Sequence, residues 1–494
     1  MQNGTMLQYF HWYYPTDGSL WKQLKKDAGA LVEMGITAVW LPPAFKADAG
    51  GMSVGYDIYD LYDLGEFEQK SSLRTKYGNK LEYLDAIRMA HEKGLQVYVD
   101  IVVNHLAGAD ESETIKVRKV DPENRNEFIS EPYDIEAFTK FTYPGRQKKY
   151  SAFEWDHRCF TGVDFDNMTK ESGIYSIMNE YGEGWEDVVD EEKGNYDYLM
   201  YADIEFRNPA VREELKRWAD WYYNETKFDG VRLDAVKHIS PDFYRDWLDY
   251  VRTSTKKDLF AVGEYWAPGN LTLMLRYIDA TDGKMSLFDA ALHHNLHNAS
   301  KSGKDYDLTT IFDNTLLSSR PELAVTVVDN HDTQPLQALE APVEPWFKPI
   351  AYALILLIEK GYPCVFYPDI FGATYTDKGS DGNEYEIYLP GCENIDKLLA
   401  ARKSYAYGVQ RNYFDHGNCI GWTREGIPEM VTSGCAVLLS NGDEGFKKME
   451  MGPAHKGKTF IDYLGKFTAE VQIDEDGFGE FHCLPGSVSV WIQK

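Results

Sequence analysis

The segment F-D-G-V-R-L-D-A-V-K-H, residues 228–238, decides how the chain folds. Within it Val231 and Leu233 alternate with Arg232 and Asp234, which is the two-residue period of a β-strand. Arg232 and Asp234 therefore point to the same face, where a carboxylate beside a guanidinium stays ionised near neutral pH. An ionised Asp at the end of an apolar strand is a candidate nucleophile. The alternative interpretation of this segment alone is a structural Asp–Arg ion pair.

Apolar strands alternate with amphipathic helices on both sides of this segment. The predicted strands are residues 5–10, 36–41, 95–103, 230–233, 259–262, 286–288, 323–328 and 364–367. The predicted helices are residues 20–34, 81–93, 208–226, 240–253, 271–278, 308–317, 348–359 and 395–405. Strands that alternate with helices predict a parallel sheet with helices outside it, and this number of units predicts an α/β fold, the (β/α)₈ TIM barrel.

Two regions depart from this alternation. Residues 106–205 are polar, irregular and too long for a loop, which indicates an inserted β-rich domain after the third strand. The densest acidic run of this insertion, residues 183–192, is interpreted mainly as a solvated face. From residue 407 the pattern changes to short alternating runs typical of a small antiparallel β domain. The predicted domains are a barrel of residues 1–105 and 206–406, the insertion of residues 106–205, and a C-terminal domain of residues 407–494.

The composition limits the classes of partner. Among 494 residues the acidic side chains outnumber the basic ones by 79 to 51, which gives a net charge of −28. Such a surface does not favour a nucleic-acid backbone or an anionic membrane as partner. It suits a neutral substrate, and clustered carboxylates also suit a hard cation such as Ca²⁺. The alternative is that the charge serves only solubility.

Cysteine usage and the N-terminal sequence indicate a cytoplasmic location. The six cysteines form no C-x-x-C pair and no zinc spacing, so we expect reduced thiols. The first residues show no basic start followed by an apolar run, so we expect no secretory signal. The longest apolar helix candidate, residues 351–358, is too short to cross a bilayer. We expect a monomer that binds no nucleic acid and no membrane.

Polar side chains follow several of the predicted barrel strands, where the active sites of such barrels lie. Three carboxylates, Asp234, Glu264 and Asp332, are expected to converge there. The other residues at strand ends are Asp100, Asn104, His105, Arg232, Lys237, His238, Tyr265, Trp266 and His331. Carboxylates and aromatic rings without a nucleophilic Ser or Cys motif indicate glycoside hydrolysis, in which two carboxylates about 5 Å apart support retention.

The chemistry assigns a role to each carboxylate. Asp234, beside Arg232, suits the nucleophile, and Glu264, with no adjacent cation in sequence, suits an acid that needs a raised pKa. Asp332 is expected to hold sugar hydroxyls and to help distort the ring.

Histidines and aromatic rings are the other candidates at the substrate. His105 and His331 are expected to donate hydrogen bonds to hydroxyls, and Tyr56 and Trp266 to stack on sugar faces. For a single strand-end histidine or an isolated aromatic ring, a structural role is the alternative.

Four segments together resemble the signature segments of the α-amylase family of glycoside hydrolases. They are D-I-V-V-N-H (100–105), G-V-R-L-D-A-V-K-H (230–238), V-G-E-Y-W (262–266) and V-D-N-H-D (328–332), in the order of the family and on the expected strands. The resemblance covers essentially the whole chain, including the insertion and the C-terminal domain. It implies endo-hydrolysis of internal α-1,4-glucosidic bonds in starch, glycogen or maltodextrins, with retention.

Further segments resemble particular branches of the family. L-Q-Y-F-H-W-Y (7–13), V-G-Y-D-I-Y-D-L-Y-D-L-G-E-F (54–67) and N-Y-D-Y-L-M-Y-A-D-I (195–204) are similar to the bacterial liquefying α-amylases. P-L-Q-A-L-E-A-P-V-E-P-W-F-K-P (335–349) resembles the cytoplasmic bacterial members.

The resemblance implies roles for individual residues. It makes Asp234 the nucleophile, Glu264 the acid/base and Asp332 the third carboxylate. Residues around the bound sugar would be Tyr56, His105, Arg232 and His331, with Lys237 and His238 on the leaving-group side. The resemblance also implies a structural calcium ion between barrel and insertion, held by Asn104, Asp197, Asp203 and the backbone carbonyl of His238.

One departure concerns additional metals. The secreted liquefying enzymes carry further Asp residues just after the position of Asp203, whereas this chain has Glu205 and Arg207 there. Because an Arg cannot ligate a cation, we expect at most one calcium ion and a lower thermal stability than that of the secreted enzymes.

Three other functions stay open at this point. One is a maltodextrin-specific hydrolase or transglycosylase of the same family, since acceptor preference depends on loop shape. Another is a non-catalytic glycan-binding protein, which the complete set of three carboxylates disfavours. The third is a metal-dependent hydrolase, which no H-x-H or H-E-x-x-H motif supports.

Overall fold

A closed barrel of eight parallel strands forms the centre of the computed structural model, which describes residues 3–494. Strands that follow one another in the chain also lie side by side, and the first pairs with the last. The strands are Met6–Gln8, Ala38–Leu41, Gln96–Ile101, Gly230–Leu233, Phe260–Gly263, Ser286–Phe288, Ala324–Val327 and Tyr362–Phe366. This arrangement confirms the predicted (β/α)₈ barrel.

Helices surround the barrel, and their ends carry the expected capping residues. Gly35 ends the first helix with a φ of 107°, and Asn79 and Glu82 form a capping box at the start of the second. The helices are Leu20–Met34, Lys80–Lys93, Pro209–Thr226, Pro241–Thr255, Leu271–Ala280, Ala290–Ser302, Leu316–Ser319, Lys348–Leu356, Tyr367–Phe371 and Ile395–Ser404.

The predicted helix at residues 308–317 is wrong. The helix after the sixth strand is Ala290–Ser302, and the predicted range contains a 3₁₀ turn, Leu308–Thr310, and the start of the short helix Leu316–Ser319. The buried carboxylate of Asp289 explains both starts, because it accepts hydrogen bonds from backbone N–H groups at residues 292, 316 and 317. A side chain that caps a distant helix leaves no periodic signal in the sequence.

The insertion contains a six-stranded sheet, so it is more regular than the sequence predicted. Its first and last strands pair antiparallel, with His105 opposite Asp203, so both ends of the insertion meet at the barrel. Glu186 and Asp190 in the acidic run are buried, contrary to the predicted solvated face. The strands are His105–Leu106, Glu111–Lys119, Tyr133–Lys140, Phe160–Asp166, Glu171–Ile177 and Ala202–Ile204.

The C-terminal region is an antiparallel β sandwich. One sheet has six strands, and the other pairs Gly445–Glu450 with Phe478–Cys483. Trp422 donates a hydrogen bond to the carbonyl of Leu357 and so joins this region to the barrel. The strands of the larger sheet are Gln410–Tyr413, Cys419–Arg424, Cys435–Ser440, Thr459–Asp462, Val471–Gln472 and Ser487–Gln493.

Two small hairpins lie outside these layers. One pairs Lys46–Ala47 with Ile58–Asp60, and the other pairs Ala373–Lys378 with Glu384–Leu389. Across residues 3–494, none of the helices is both long and apolar enough to cross a membrane.

Candidate active site

The buried guanidinium of Arg232 contacts three carboxylates at the carboxyl ends of the strands. Its Nη1 lies 2.9 Å from Asp100 Oδ1 and 2.5 Å from Asp234 Oδ1, and its Nη2 lies 2.6 Å from Glu264 Oε2. The barrel register causes this arrangement, since Arg232 is opposite Asp100 and the next residue is opposite Gly263, which precedes Glu264. The ion pair expected between Arg232 and Asp234 is present, and Arg232 also bridges two neighbouring strands.

Glu264 lies beside the cationic Arg232, although no cationic residue is its neighbour in the sequence. Burial nevertheless raises the pKa of this carboxyl to about 8, with Arg232 lowering the pKa and Asp234 and Asp332 raising it. Glu264 Oε2 also lies 3.3 Å from the backbone N–H of Ala235, whose φ of 48° is left-handed. At neutral pH Glu264 therefore carries a proton that it can donate.

Asp332 and Asp100 are also protonated more readily than ordinary Asp side chains. Burial raises the pKa of Asp332 to about 7, and the charges of Asp234 and Asp100 add to this effect. Burial raises the pKa of Asp100 to about 6, against the opposing effect of Arg232. Asp100 accepts further hydrogen bonds from Trp40 Nε1 at 2.9 Å and from Tyr56 Oη at 3.0 Å, so it links three side chains at the base of the site. Asp332 lines the cleft.

Three flat rings form one wall of the cleft. The ring of Tyr56 lies 5.0 Å from that of His331 and 6.0 Å from that of Trp12, with interplanar angles of 12° and 1°. His331 Nδ1 lies 3.0 Å from Gln8 Nε2, and His105 Nε2 lies 2.8 Å from the carbonyl of Tyr56. Trp12 was not among the predicted site residues. Its position just beyond the end of the first barrel strand is the signal that was available.

Part of the cleft lining comes from Ala290–Ser302, the helix that the sequence did not predict. The ring of Trp266 lies 5.3 Å from that of His293, which belongs to helix Ala290–Ser302 together with His294 and His297. All of these side chains line a cleft of about 840 Å³. The cleft also contains Tyr56, His105, Asp234, Lys237, His238, Glu264, His331 and Asp332.

Lys237 and His238 join the barrel to the insertion. Lys237 Nζ lies 2.8 Å from Glu192 Oε2 and 3.4 Å from Asp190 Oδ2, and His238 Nδ1 lies 2.6 Å from the carbonyl of Tyr196. The insertion therefore forms one rim of the cleft, which the buried Asp190 and the exposed Glu192 link to Lys237 of the barrel.

The residues implied for calcium show features of a cation site. Asn104 Oδ1 is buried and has no hydrogen-bond partner, while Asn104 Nδ2 lies 3.2 Å from Asp203 Oδ1. Burial raises the pKa of both Asp197 and Asp203, and the charge of Asp203 raises that of Asp197 further. Within residues 3–494, no three His, Cys, Asp or Glu side chains are grouped to hold a metal. The implied ligand set holds only two such side chains, together with an amide oxygen and a backbone carbonyl, and these oxygen donors fit a hard cation.

Glu205 already has a cationic partner. Arg207 donates to Glu205 Oε1 through Nε at 2.7 Å and to Glu205 Oε2 through Nη2 at 2.6 Å. This bidentate pair occupies both oxygens of a fully buried carboxylate.

Two family models match the chain. The model described as "Alpha amylase, catalytic domain" matches residues 29–389, and the model described as "Alpha-amylase C-terminal" matches residues 435–492. The first covers well over half of the chain and includes the arginine and its three carboxylate partners.

Several curated relatives match over the full length. The chain is 51% identical over 493 residues to a cytoplasmic alpha-amylase of Escherichia coli K12, covering 100% of this chain and 99% of the relative. It is also 51% identical to an alpha-amylase of Geobacillus stearothermophilus, with coverages of 100% and 87%. A glucan 1,4-alpha-maltohexaosidase of Bacillus sp. 707 is 47% identical, with coverages of 100% and 93%.

A solved structure supports the fold. An alpha-amylase of Geobacillus thermoleovorans in complex with acarbose superposes with a TM-score of 0.64 at 19% identity, covering 100% of this chain and 98% of the other. At this identity the similarity extends to the fold alone.

Proposed function

The chain belongs to the α-amylase family of glycoside hydrolases, and on this premise we propose how its buried carboxylates hydrolyse the α-1,4-glucosidic bonds of α-glucans. The observation that carries the proposal is the contact of one arginine with both Asp234 and Glu264. This contact brings the two carboxyl groups close together, which supports a nucleophile and an acid that act jointly in retention by double displacement.

The proposed reaction has two steps. Asp234 attacks the anomeric carbon while Glu264 gives its proton to the leaving glycosidic oxygen, which produces a covalent glycosyl ester on Asp234. Glu264, now ionised, then takes a proton from a water molecule, and this water hydrolyses the ester with net retention. The raised pKa of Glu264, about 8, supports its role as the proton donor at neutral pH.

The other cleft residues bind and orient the sugar in this proposal. Asp332 and the histidines at positions 105 and 331 hydrogen-bond to hydroxyl groups, and Tyr56 and Trp266 offer apolar ring faces. Trp12, parallel to Tyr56, extends the stacking surface. Lys237 and His238 lie on the leaving-group side, where the insertion closes the rim.

The enzyme is proposed to cleave internal bonds, with starch, glycogen or maltodextrins as its substrates. A relative named glucan 1,4-alpha-maltohexaosidase is 47% identical to the chain, so an exo-acting or product-specific activity is the alternative. The lengths of the reaction products distinguish the two. With a blocked maltoheptaoside and with glycogen, we expect mixed oligosaccharides in the α-anomeric form within the first minutes. A single short product, or new longer chains, would instead identify an exo-acting or transferring member of the family.

We further propose one calcium ion between barrel and insertion, held by Asn104, Asp197, Asp203 and the carbonyl of His238. The unpartnered Oδ1 of Asn104 and the two buried carboxylates support this proposal. A bound divalent cation would offset the cost of burying two carboxylates and would fix the insertion to the barrel.

Chelation is the test of the calcium site. We expect EGTA to lower the melting temperature by about 5–10 °C, because a ligand bound only to the folded state stabilises it. Added calcium should restore the loss. Asp203→Asn should melt at the lower temperature with or without EGTA, whereas Asp134→Asn, an exposed change in the same insertion, should respond like the wild type. An unchanged melting temperature of the wild type in EGTA would contradict the site.

A cytoplasmic location is part of the proposal. It is supported by the full-length similarity to the relative named cytoplasmic alpha-amylase. Immunodetection in separated cell fractions tests it.

A further inference from the structure

Two cysteines from different sheets face each other inside the C-terminal β sandwich. Cys419 begins a strand of the six-stranded sheet, and Cys483 ends a strand of the two-stranded sheet. Both side chains are buried in the same apolar core together with Leu438 and Met449. All six cysteines are free thiols in the structure.

A glycine makes room for both sulfur atoms. Gly445 lies directly opposite Cys483 in the two-stranded sheet. A Cβ atom at Gly445 would overlap Cys419 Sγ and would lie 3.3 Å from Cys483 Sγ. The two sulfurs therefore share the space that a side chain at position 445 would fill.

We propose that Cys419 and Cys483 are a modification site, at which a small-molecule disulfide such as oxidised glutathione converts the two thiols into a reversible disulfide between the sheets. The site lies outside the cleft and is independent of the hydrolase reaction.

The reaction is a pair of thiol–disulfide exchanges. The Cys419 thiolate attacks one sulfur of the external disulfide, forms a mixed disulfide and releases one small thiolate. The Cys483 thiolate then attacks Cys419 Sγ and releases the second small thiolate. Two protein thiols lose two electrons, the external disulfide gains them, and the two protons end on the released small thiols.

Cys419 is the thiol suited to react first. It is 8% exposed, against 1% for Cys483. Interaction with the nearby Cys483 thiol lowers the pKa of the Cys419 thiol, and the ammonium of Lys447 lowers it further, while the same interaction raises the pKa of the Cys483 thiol. A lower pKa increases the fraction of thiolate, which is the nucleophile in the exchange.

The disulfide is expected to stabilise the C-terminal domain. It would join positions 419 and 483, which are 64 residues apart (483 − 419). Closing so long a loop restricts the unfolded chain, so we expect the melting temperature to rise by about 2–5 °C. Hydrolysis should be unchanged, because both thiols lie in an apolar core distinct from that of the barrel.

The test treats the folded full-length protein with oxidised glutathione for about an hour, within the range of uncatalysed thiol exchange. The remaining thiols are then alkylated after unfolding, and the peptides are analysed by mass spectrometry. We expect a linked pair of peptides containing Cys419 and Cys483, two hydrogen atoms lighter than the reduced pair, which dithiothreitol separates. Alkylation of both cysteines as free thiols, or a lasting glutathione adduct on Cys419 in the wild type, would overturn the proposal.

Cys483→Ser is the informative variant. Without the second thiol, the mixed disulfide on Cys419 cannot resolve, so glutathione should remain attached there and the melting temperature should not rise. Cys392 is the internal control, because it is as exposed as Cys419, at 8%, while its Sγ donates a hydrogen bond to the backbone carbonyl of Glu393 at 3.7 Å. Cys392→Ser should therefore form the linked pair like the wild type, and a loss of the link in this variant would also contradict the assignment.

Discussion

Replacing Asp234 with Asn is expected to lower kcat for glucan hydrolysis by about 10⁴-fold or more, as loss of a catalytic nucleophile does in other hydrolases. An amide has nearly the shape of the carboxylate and still accepts a hydrogen bond from Arg232, so the fold should persist. It carries no negative charge, however, and is a poor nucleophile towards the anomeric carbon. Release of reducing ends from soluble starch is the measurement, with the melting temperature recorded beside it.

Asp246→Asn is the matched control. Asp246 is an exposed Asp on the helix that follows the same barrel strand, and it is paired with Arg212. We expect wild-type activity from this variant. Hydrolysis within tenfold of wild type by Asp234→Asn would contradict the assignment of the nucleophile.

Replacing Glu264 with Gln is expected to have the second largest effect. Hydrolysis of unactivated glucans should fall by about 10³–10⁴-fold, at the upper end of what general acid catalysis contributes. A maltosyl substrate with a strongly acidic leaving group needs no proton donor in the first step, so the first-step rate on it should be largely retained. Equal losses on both substrates would contradict the role of Glu264 as the acid.

The pH dependence adds a second readout for Glu264. The acid acts while it is protonated, and its pKa is about 8, so kcat/KM of the wild type on glucans should fall as the pH rises through that value. The Gln variant has no proton to lose. Its first-step rate on the activated substrate should therefore lack this alkaline decline, and a decline that persists in the variant would assign the titration to another group.

The barrel was predictable because its strands and most of its helices are marked by local signals. The two-residue period at 230–233 and the Gly that ends the first helix are properties of neighbouring residues. The position of Arg232 beside Asp234 follows from the same period, so that part of the site was also predictable.

The rest depends on contacts between distant segments. Arg232 reaches Glu264 through the register of two strands, and Asp289 begins a helix far along the chain; neither contact leaves a local pattern. Glu186 in the acidic run is buried because the backbone N–H of Phe206 donates to it from the edge of the barrel. Composition alone could therefore not separate this residue from its solvated neighbours.

The close positions of Asp234 and Glu264 on Arg232 also affect the pKa of Glu264 in each half-reaction. In the free enzyme the charge of Asp234 raises the pKa of Glu264, while Arg232 lowers it. Once Asp234 is esterified, its negative charge is gone and no longer raises the pKa of Glu264, while burial and Asp332 still raise that pKa and Arg232 still lowers it. The pKa of the Glu264 carboxyl is then lower than in the free enzyme, which favours the ionised form that a proton acceptor needs. Bond formation at one carboxylate thus shifts the other from proton donor towards proton acceptor, and this shift requires no movement of the backbone.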